Sequence, residues 1–329
     1  MAITDAPSPS GPAAPLAAAG RDALTFEELA VALDLRQPII PAPVKLPGDG
    51  VRVGAPVAET DLELGPLVEL PGTWTGSGFN LIARPDKQEN MPFFLELNAT
   101  REILSFTPIS GAIPNRGSAQ DDISFLGLTY VQQVNDSETN GGLHIEPGIW
   151  INVPETTVPP SGPTVVRMAT IPHGNALLAQ GVSSGTANNG APTIPTVNSL
   201  PVRVDHKPLP LGYTDPFLNA SPPPGIDPRA VTNPSVVLED VLATQKAAGL
   251  EVVSNVAIVI STAPAGGIEN MPFLVANANA TSMTALFWIE TVMRPDNTTF
   301  LQFQYLQIVT LEFLEINWPH IQVATLVKF

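Results

Sequence analysis

The segment Leu301-Gln302-Phe303-Gln304-Tyr305-Leu306-Gln307-Ile308-Val309-Thr310-Leu311-Glu312-Phe313 decides the fold class. Leu301, Phe303, Tyr305, Val309, Leu311 and Phe313 fall on one side of a two-residue period, and Gln302, Gln304, Thr310 and Glu312 fall on the other. Side chains alternate across a strand, so this run is a β-strand with one apolar and one polar face. Working outward, strands are expected at Gly72–Ile82, Met91–Leu97, Glu102–Ile109, Ser124–Val134, Gly142–Val153, Thr164–Ile171 and Leu177–Val182. They resume at Val252–Ser261, Met271–Asn277, Ser282–Met293, Thr299–Phe313 and His320–Lys328. Turn chemistry at Ala83–Asp86, Asn98–Thr100 and Asn135–Gly141 separates the earlier ones. Many strands on short connections point to an antiparallel β-barrel, which leaves no exposed edge, with a sandwich as the alternative. Glu89-Asn90-Met91-Pro92-Phe93 recurs as Glu269-Asn270-Met271-Pro272-Phe273, which would make two related hairpins.

Composition agrees with a strand-rich class. The chain has 329 residues, 44% hydrophobic and 14% charged, enough to bury a large core in one big domain or two small ones. Its 36 prolines and 25 glycines suit strands and loops better than long helices. With no cysteine, disulfides, thiolate metal sites and cysteine nucleophiles are excluded. A net charge of −16 with no Lys/Arg cluster repels phosphate backbones and anionic headgroups, so neither nucleic acid nor membrane is an expected partner. The opening residues lack a basic n-region and a continuous apolar h-region, and no later stretch reaches the roughly 20 apolar residues of a spanning helix. A cytoplasmic location is expected.

Residues 1–66 read as an N-terminal arm. Its first 22 or so residues are rich in Ala, Pro, Ser and Gly, and a short helix follows from Leu24 to Leu35, with Thr25 as cap and Glu28 three residues on. The barrel domain is expected over 67–329, interrupted by an insertion at 183–249. The insertion is dense in Pro, Ser, Asn and Gly up to Pro234, then carries a helix from about Pro234 to Ala248 with Val237, Val241, Leu242 and Gln245 on its apolar face. It reads as an insertion or a lid.

Several chemistries lack their residues. Gly72–Gly78 has neither the lysine nor the strand-to-helix context of a phosphate loop, and there is no G-x-S-x-G elbow. Four histidines without a close pair argue against a multi-histidine zinc centre. A site built on one histidine is easier, and haem is the metal cofactor that one protein ligand can hold. His320 shares a face of the last strand with Gln322, Ala324 and Leu326, opposite Ile321, Val323, Thr325 and Val327, and apolarity does not decide which face is interior. His144 and Glu146 share a strand face, as a pocket acid/base pair or a surface pair. His173 falls in a turn, His206 reads as solvated, and Trp74 reads as a core residue at the barrel's base.

Leu70-Pro71-Gly72-Thr73-Trp74-Thr75-Gly76-Ser77-Gly78, Leu143-His144-Ile145-Glu146-Pro147-Gly148-Ile149-Trp150 and Pro319-His320-Ile321-Gln322-Val323-Ala324-Thr325-Leu326 resemble, in order, three landmarks of the nitrobindin family. Nitrobindins are small haem-binding β-barrels related in shape to fatty-acid-binding proteins. The resemblance covers roughly 67–181 and 252–329. It implies a calycin-like barrel with haem b as cofactor and His320 as the axial metal ligand, with His144, Trp74 and Ala324 beside the cofactor. His144 and His173 become catalytic candidates on an open distal face for nitric oxide, peroxynitrite or peroxide, as in a peroxynitrite isomerase or peroxidase-like enzyme. The alternative is a haem-free barrel holding an apolar small molecule. A small-molecule ligand is the expected partner, and a homo-oligomer is the macromolecular option.

Overall fold

The computed structural model describes residues 64–329. The expected helix at Leu24–Leu35 and most of the N-terminal arm lie outside the described residues.

Ten strands make the barrel: β1 (Gly72–Asp86), β2 (Met91–Pro108), β3 (Ile123–Asp136), β4 (Gly142–Val153), β5 (Thr164–Ile171), β6 (Asn175–Ser183), β7 (Glu251–Ser261), β8 (Asn279–Met293), β9 (Thr299–Phe313) and β10 (Ile316–Lys328). Each is hydrogen-bonded antiparallel to its neighbours in sequence. β6 reaches β7 across the insertion, with Val182 opposite Val259. β10 returns to β1, pairing Trp74 with Lys328 through to Leu81 with Ile321. The sheet is therefore a closed, up-and-down barrel, and the sandwich alternative falls away.

Strand alternation divides the apolar residues between two cores. Trp74, Leu104, Phe106, Leu128, Trp150, Phe287, Phe303, Ala324 and Leu326 belong to the cluster that fills the barrel. Phe79, Leu81, Phe93, Trp288, Leu306, Ile321 and Val323 point outward, yet they too are buried. What covers them is the insertion. Between β6 and β7 the chain forms α1 (Asp215–Asn219), a 3-10 turn at Pro228–Val231 and α2 (Val236–Ala247), and the rest of it is mostly irregular. Phe217, Ala230, Val231, Val236 and Leu238 lie against the outer wall. The Phe, Val and Leu side chains among them each contribute roughly 1.5–3 kcal/mol on burial, so the insertion is part of the fold rather than an ornament. Val236 and Leu238 carry the contact, while the expected stripe of Val237, Val241, Leu242 and Gln245 is only half-buried.

This settles the parity of β10. The even face, bearing His320, Gln322, Ala324 and Leu326, is interior, and the odd face lies under the insertion. It also explains why Gln302 and Gln304 of β9, outward and polar, are buried. Gln302 Oε1 accepts from Gln245 Nε2 of α2 at 2.5 Å, and Gln304 Nε2 donates to Thr325 Oγ1 at 2.8 Å.

Three local expectations are corrected. Ala83–Asp86 is not the first turn, because β1 stays paired with β2 through Asp86 and the chain turns over 87–90. Asn98-Ala99-Thr100 is not a turn, because β2 runs through it without a break. Both flanks of this stretch are paired, Asn98 with Asn80 and Thr100 with Gly78 and Asp136, and the polar side chains bond within the barrel instead of to nearby backbone. Met271–Asn277 is not a strand either. After Met271 the chain forms α3 (Pro272–Asn277), with Pro272 in the first turn, where its missing N–H leaves nothing unpaired. The recurrence of Glu-Asn-Met-Pro-Phe therefore has no structural counterpart, since Met91-Pro92 opens β2.

Candidate functional site

The barrel interior is stratified. Trp74, Phe106, Trp150, Phe287 and Phe303 pack its lower part, with ring centroids 4.8–6.4 Å apart in the contacting pairs. Above them the inward positions turn polar: Asn80 on β1, Asn98 and Glu102 on β2, Tyr130, Gln132 and Asp136 on β3, His144 and Glu146 on β4, Arg167 on β5, Tyr305 and Gln307 on β9, and His320 and Gln322 on β10. Buried polar groups persist only when hydrogen-bonded, and these organise into three connected sets.

The first surrounds Glu102. Its carboxyl accepts from Tyr305 Oη at 2.6 Å, Gln322 Nε2 at 3.1 Å, Thr100 Oγ1 at 3.1 Å and Gln132 Nε2 at 3.2 Å. Burial pushes its pKa up, against the lowering effect of those donors. The second joins Glu146 and Arg167. Arg167 Nη2 meets Glu146 Oε1 at 2.5 Å, its Nη1 donates to Gln307 Oε1 at 2.7 Å, and the Tyr130 hydroxyl donates to Glu146. Burial alone would raise the Glu146 carboxyl, but the Arg167 charge and the His144 hydrogen bond hold it at about 2, so it is ionised. Glu146 Oε2 in turn lies 3.1 Å from His144 Nε2.

The third set ends on His320. Its Nε2 lies 2.8 Å from Asn80 Oδ1, Asn80 Nδ2 donates to Asn98 Oδ1 at 3.1 Å, and Asn98 Nδ2 donates to Asp136 Oδ2 at 3.0 Å. Burial, then the nearby His144, His173 and Arg84, lower the His320 pKa to about 3, which leaves the imidazole neutral at pH 7. Among the described residues, the sealed side-chain N and O atoms lacking a partner are Glu290 Oε1 and Gln304 Oε1. The Nδ1 atoms of His320 and His144 have no hydrogen-bond partner there and are absent from that set, so solvent reaches both.

The structure brings three of the sequence candidates together and separates two. His144 and the exposed His173 have ring centroids 6.2 Å apart, and both act on His320. Trp74 pairs with Lys328, eight residues along β10 from His320, roughly 25 Å of strand. It is a floor residue whose Nε1 donates to the Leu70 carbonyl at 2.8 Å. Ala324 is fully buried in the inner apolar cluster. His206 is exposed in the insertion. Reading by sequence missed Arg167, Asn80, Asn98 and Asp136. Strand parity could have placed Asn80 and Asn98 inward, but no signal in the chain names Arg167 as the partner of Glu146.

Two spaces accompany these networks. A void of about 10 Å³ lies at the junction of floor and polar layer, among Tyr130, Gln132, Arg167, Phe287, Tyr305 and Gln307. That is room for about one water. A groove of about 750 Å³ lies along β4, β5, β6 and Gly266–Glu269, with Ile149, Met168 and Leu178 on its walls. Its lining takes Ile149, Met168 and Leu178 from the outward positions of these strands and Ala169 and Leu177 from the inward ones. Sites for drug-sized ligands occupy about 300–1,000 Å³. The 10 Å³ void is far below that, and Gln322, Glu102 and Gln307 occupy the level next to His320. Among the described residues no group of three or more His, Asp or Glu side chains is placed to hold a metal ion.

No protein-family model matches the chain, and no curated protein matches it. Among solved structures it is similar to Rv2717c from M. tuberculosis. That likeness has 14% identity and a TM-score of 0.42, covering 84% of this chain and 99% of that one. Among the described residues no helix is long and apolar enough to cross a membrane.

Proposed function

We propose that this chain is a small-molecule-binding β-barrel whose ligand is taken at the histidine-bearing mouth and met there by the neutral imidazole of His320. The observation that carries the reading is an imidazole held neutral, anchored through Nε2 to Asn80 Oδ1 at 2.8 Å, with Nδ1 open to solvent. A barrel needs no such group for stability, because burying a polar ring costs free energy that an apolar side chain would not. Beside it, ionised Glu146 orients His144 as a carboxylate orients a general base, and Arg167 keeps that carboxylate charged. The mouth can therefore accept a hydrogen bond from a ligand at two imidazoles. Haem, implied by the sequence resemblance, would find a neutral imidazole at His320, and the reading does not depend on haem.

The apolar groove along β4, β5 and β6 supports a second reading, a haem-free barrel that holds an apolar molecule there. One experiment separates the two. The parent and His320→Ala are screened with a fragment library by protein NMR, with hemin titrated in parallel and followed by its Soret absorbance. Fragments that shift the His320 and His144 ring nitrogens, and bind at least ten-fold more weakly to His320→Ala, support the mouth. Fragments that shift only Ile149, Met168 and Leu178 move the function to the groove. A Soret band lost in the variant makes haem the ligand.

A further inference from the structure

The Asp136–Asn98–Asn80–His320 chain has a direction. Both oxygens of Asp136 accept: Oδ1 from the N–H groups of Glu138 at 3.0 Å and Thr139 at 2.7 Å and from the Thr139 hydroxyl at 2.9 Å, and Oδ2 from Asn98 Nδ2. A carboxylate has no proton to give, so Asn98 must present its NH2 to Asp136 and its carbonyl oxygen to Asn80. Asn80 must then give its NH2 to Asn98 and turn its own oxygen to His320. The last link can form only if His320 carries its proton on Nε2. The Asx-turn of the β3–β4 loop thus selects the tautomer of a histidine on β10.

We infer that Asp136, Asn98 and Asn80 are positioning residues that fix His320 as the Nε2–H tautomer, so that the mouth offers a bare Nδ1 and selects ligands bringing a hydrogen-bond donor or another electron-pair acceptor. The ligand class rests on the reading of the mouth as a binding site. The tautomer does not.

The experiment uses the full chain labelled with ¹⁵N-histidine, with the His320 signals identified by their loss in His320→Gln. In the parent, His320 shows a protonated Nε2 and an unprotonated Nδ1. Asp136→Asn keeps an oxygen for the Thr139 and Glu138 N–H groups but puts an NH2 against Asn98, so the chain reverses and Asn80 donates to His320. The tautomer ratio should shift at least ten-fold toward Nδ1–H. Adding Asn80→Asp, an acceptor under any polarity, should restore Nε2–H. Asn98→Leu, which cuts the chain at its middle, should populate both forms and keeps the test decisive if Asp136→Asn does not fold. A parent with Nδ1–H, or a folded Asp136→Asn or Asn98→Leu whose His320 is unchanged, overturns the relay. With 4-nitrophenol as donor probe, the Nδ1 resonance should move in the parent and stay fixed in Asp136→Asn. A relay that behaves as stated while the parent Nδ1 ignores the phenol sinks the mouth reading and leaves the relay standing.

Discussion

Tyr305 Oη and the Glu102 carboxylate meet at 2.6 Å inside the barrel, although they lie on β9 and β2 and are separated by 203 positions in the chain. The contact joins the two halves of the sequence across the interior, and the same hydroxyl accepts from Gln132 Nε2 at 2.9 Å on β3. Glu102 has no cationic partner among its hydrogen bonds, so donors alone make its burial tolerable.

Tyr305→Phe removes one of those donors and one of the two acceptors of the Gln132 amide. Leaving buried groups unsatisfied costs about 1–3 kcal/mol. Urea denaturation of the variant should show a loss of that size with an unchanged slope. A loss below about 0.5 kcal/mol would mean that water replaces the hydroxyl.

Arg167 and Glu146 form a buried pair on neighbouring strands, 3% and 0% exposed. Arg167→Met leaves an uncompensated carboxylate and should destabilise by about 3–5 kcal/mol. Glu146→Leu together with Arg167→Met removes both charges and should recover most of that loss. Because Glu146 is held at about 2, below its ordinary 4.5, its contribution is present above pH 4.5 and is lost as the pH falls toward 2. The double variant should lack that part of the acid limb in a denaturant series across pH.

Much of the frame was legible because strand parity is a strong code. Thr299–Phe313, Gly142–Val153 and Thr164–Ile171 have the bounds that alternation and turn residues gave them. Local preference misled where tertiary pairing overrode it: Asn98-Ala99-Thr100 has turn composition but partners on both sides, and Met271–Asn277 has strand composition behind a helix-opening proline. For the site, His320 and His144 could be singled out by type and place. Their anchors could not, because Asp136 lies 184 positions from His320 and Arg167 lies 21 from Glu146, and proximity across a closed barrel leaves no mark in either segment. The odd face of β10 was ambiguous for a different reason. Both of its faces are buried, one by the barrel and one by the insertion.

Gly76 and Gly78, in the β1 segment that resembles a family landmark, have a steric reason to be glycine. A Cβ at Gly78 would meet the Val323 carbonyl oxygen at 2.1 Å, and one at Gly76 would meet that of Thr325 at 2.0 Å. These are backbone atoms of the closing strand and cannot swing aside. Gly78→Ala should destabilise by about 2–3 kcal/mol, with faster amide exchange along the β1–β10 ladder. Thermal melts together with hydrogen exchange check it, and exchange that speeds up elsewhere first would place the strain off this seam.

Glu290 lies on the outer face of β8 beneath the insertion, with Oε2 accepting from Gln302 Nε2 at 2.6 Å and Oε1 sealed without a partner. Burial raises its pKa to about 7, only partly opposed by the Gln302 hydrogen bond. The folded state therefore holds a proton that the unfolded chain has released above pH 4.5, and stability falls as the pH rises from 4.5 through 7. At about 1.4 kcal/mol per unit the loss is on the order of 3 kcal/mol. Glu290→Gln should flatten that slope and leave the variant more stable than the parent at pH 8. Denaturant midpoints from pH 4 to 8 read both effects, and parallel curves would show that Glu290 ionises as it does in water.

His320 gives the opposite slope and a direct spectroscopic check. Its pKa is lowered to about 3 from 6.5, first by burial and then by His144, His173 and Arg84. The unfolded chain takes up a proton here between those values and the folded chain does not, so the contribution is complete above pH 6.5 and disappears as the pH falls through 3. The ring nitrogens of His320 should keep their neutral shifts at pH 5, where an ordinary imidazole is mostly protonated. His320→Gln, which keeps a polar side chain near Asn80, should lose this share of the acid limb and shift the unfolding midpoint to lower pH. If His320 instead protonates near pH 6.5 in the folded protein, the ring is solvated as a charge. The neutral imidazole on which the proposed site depends would then be absent.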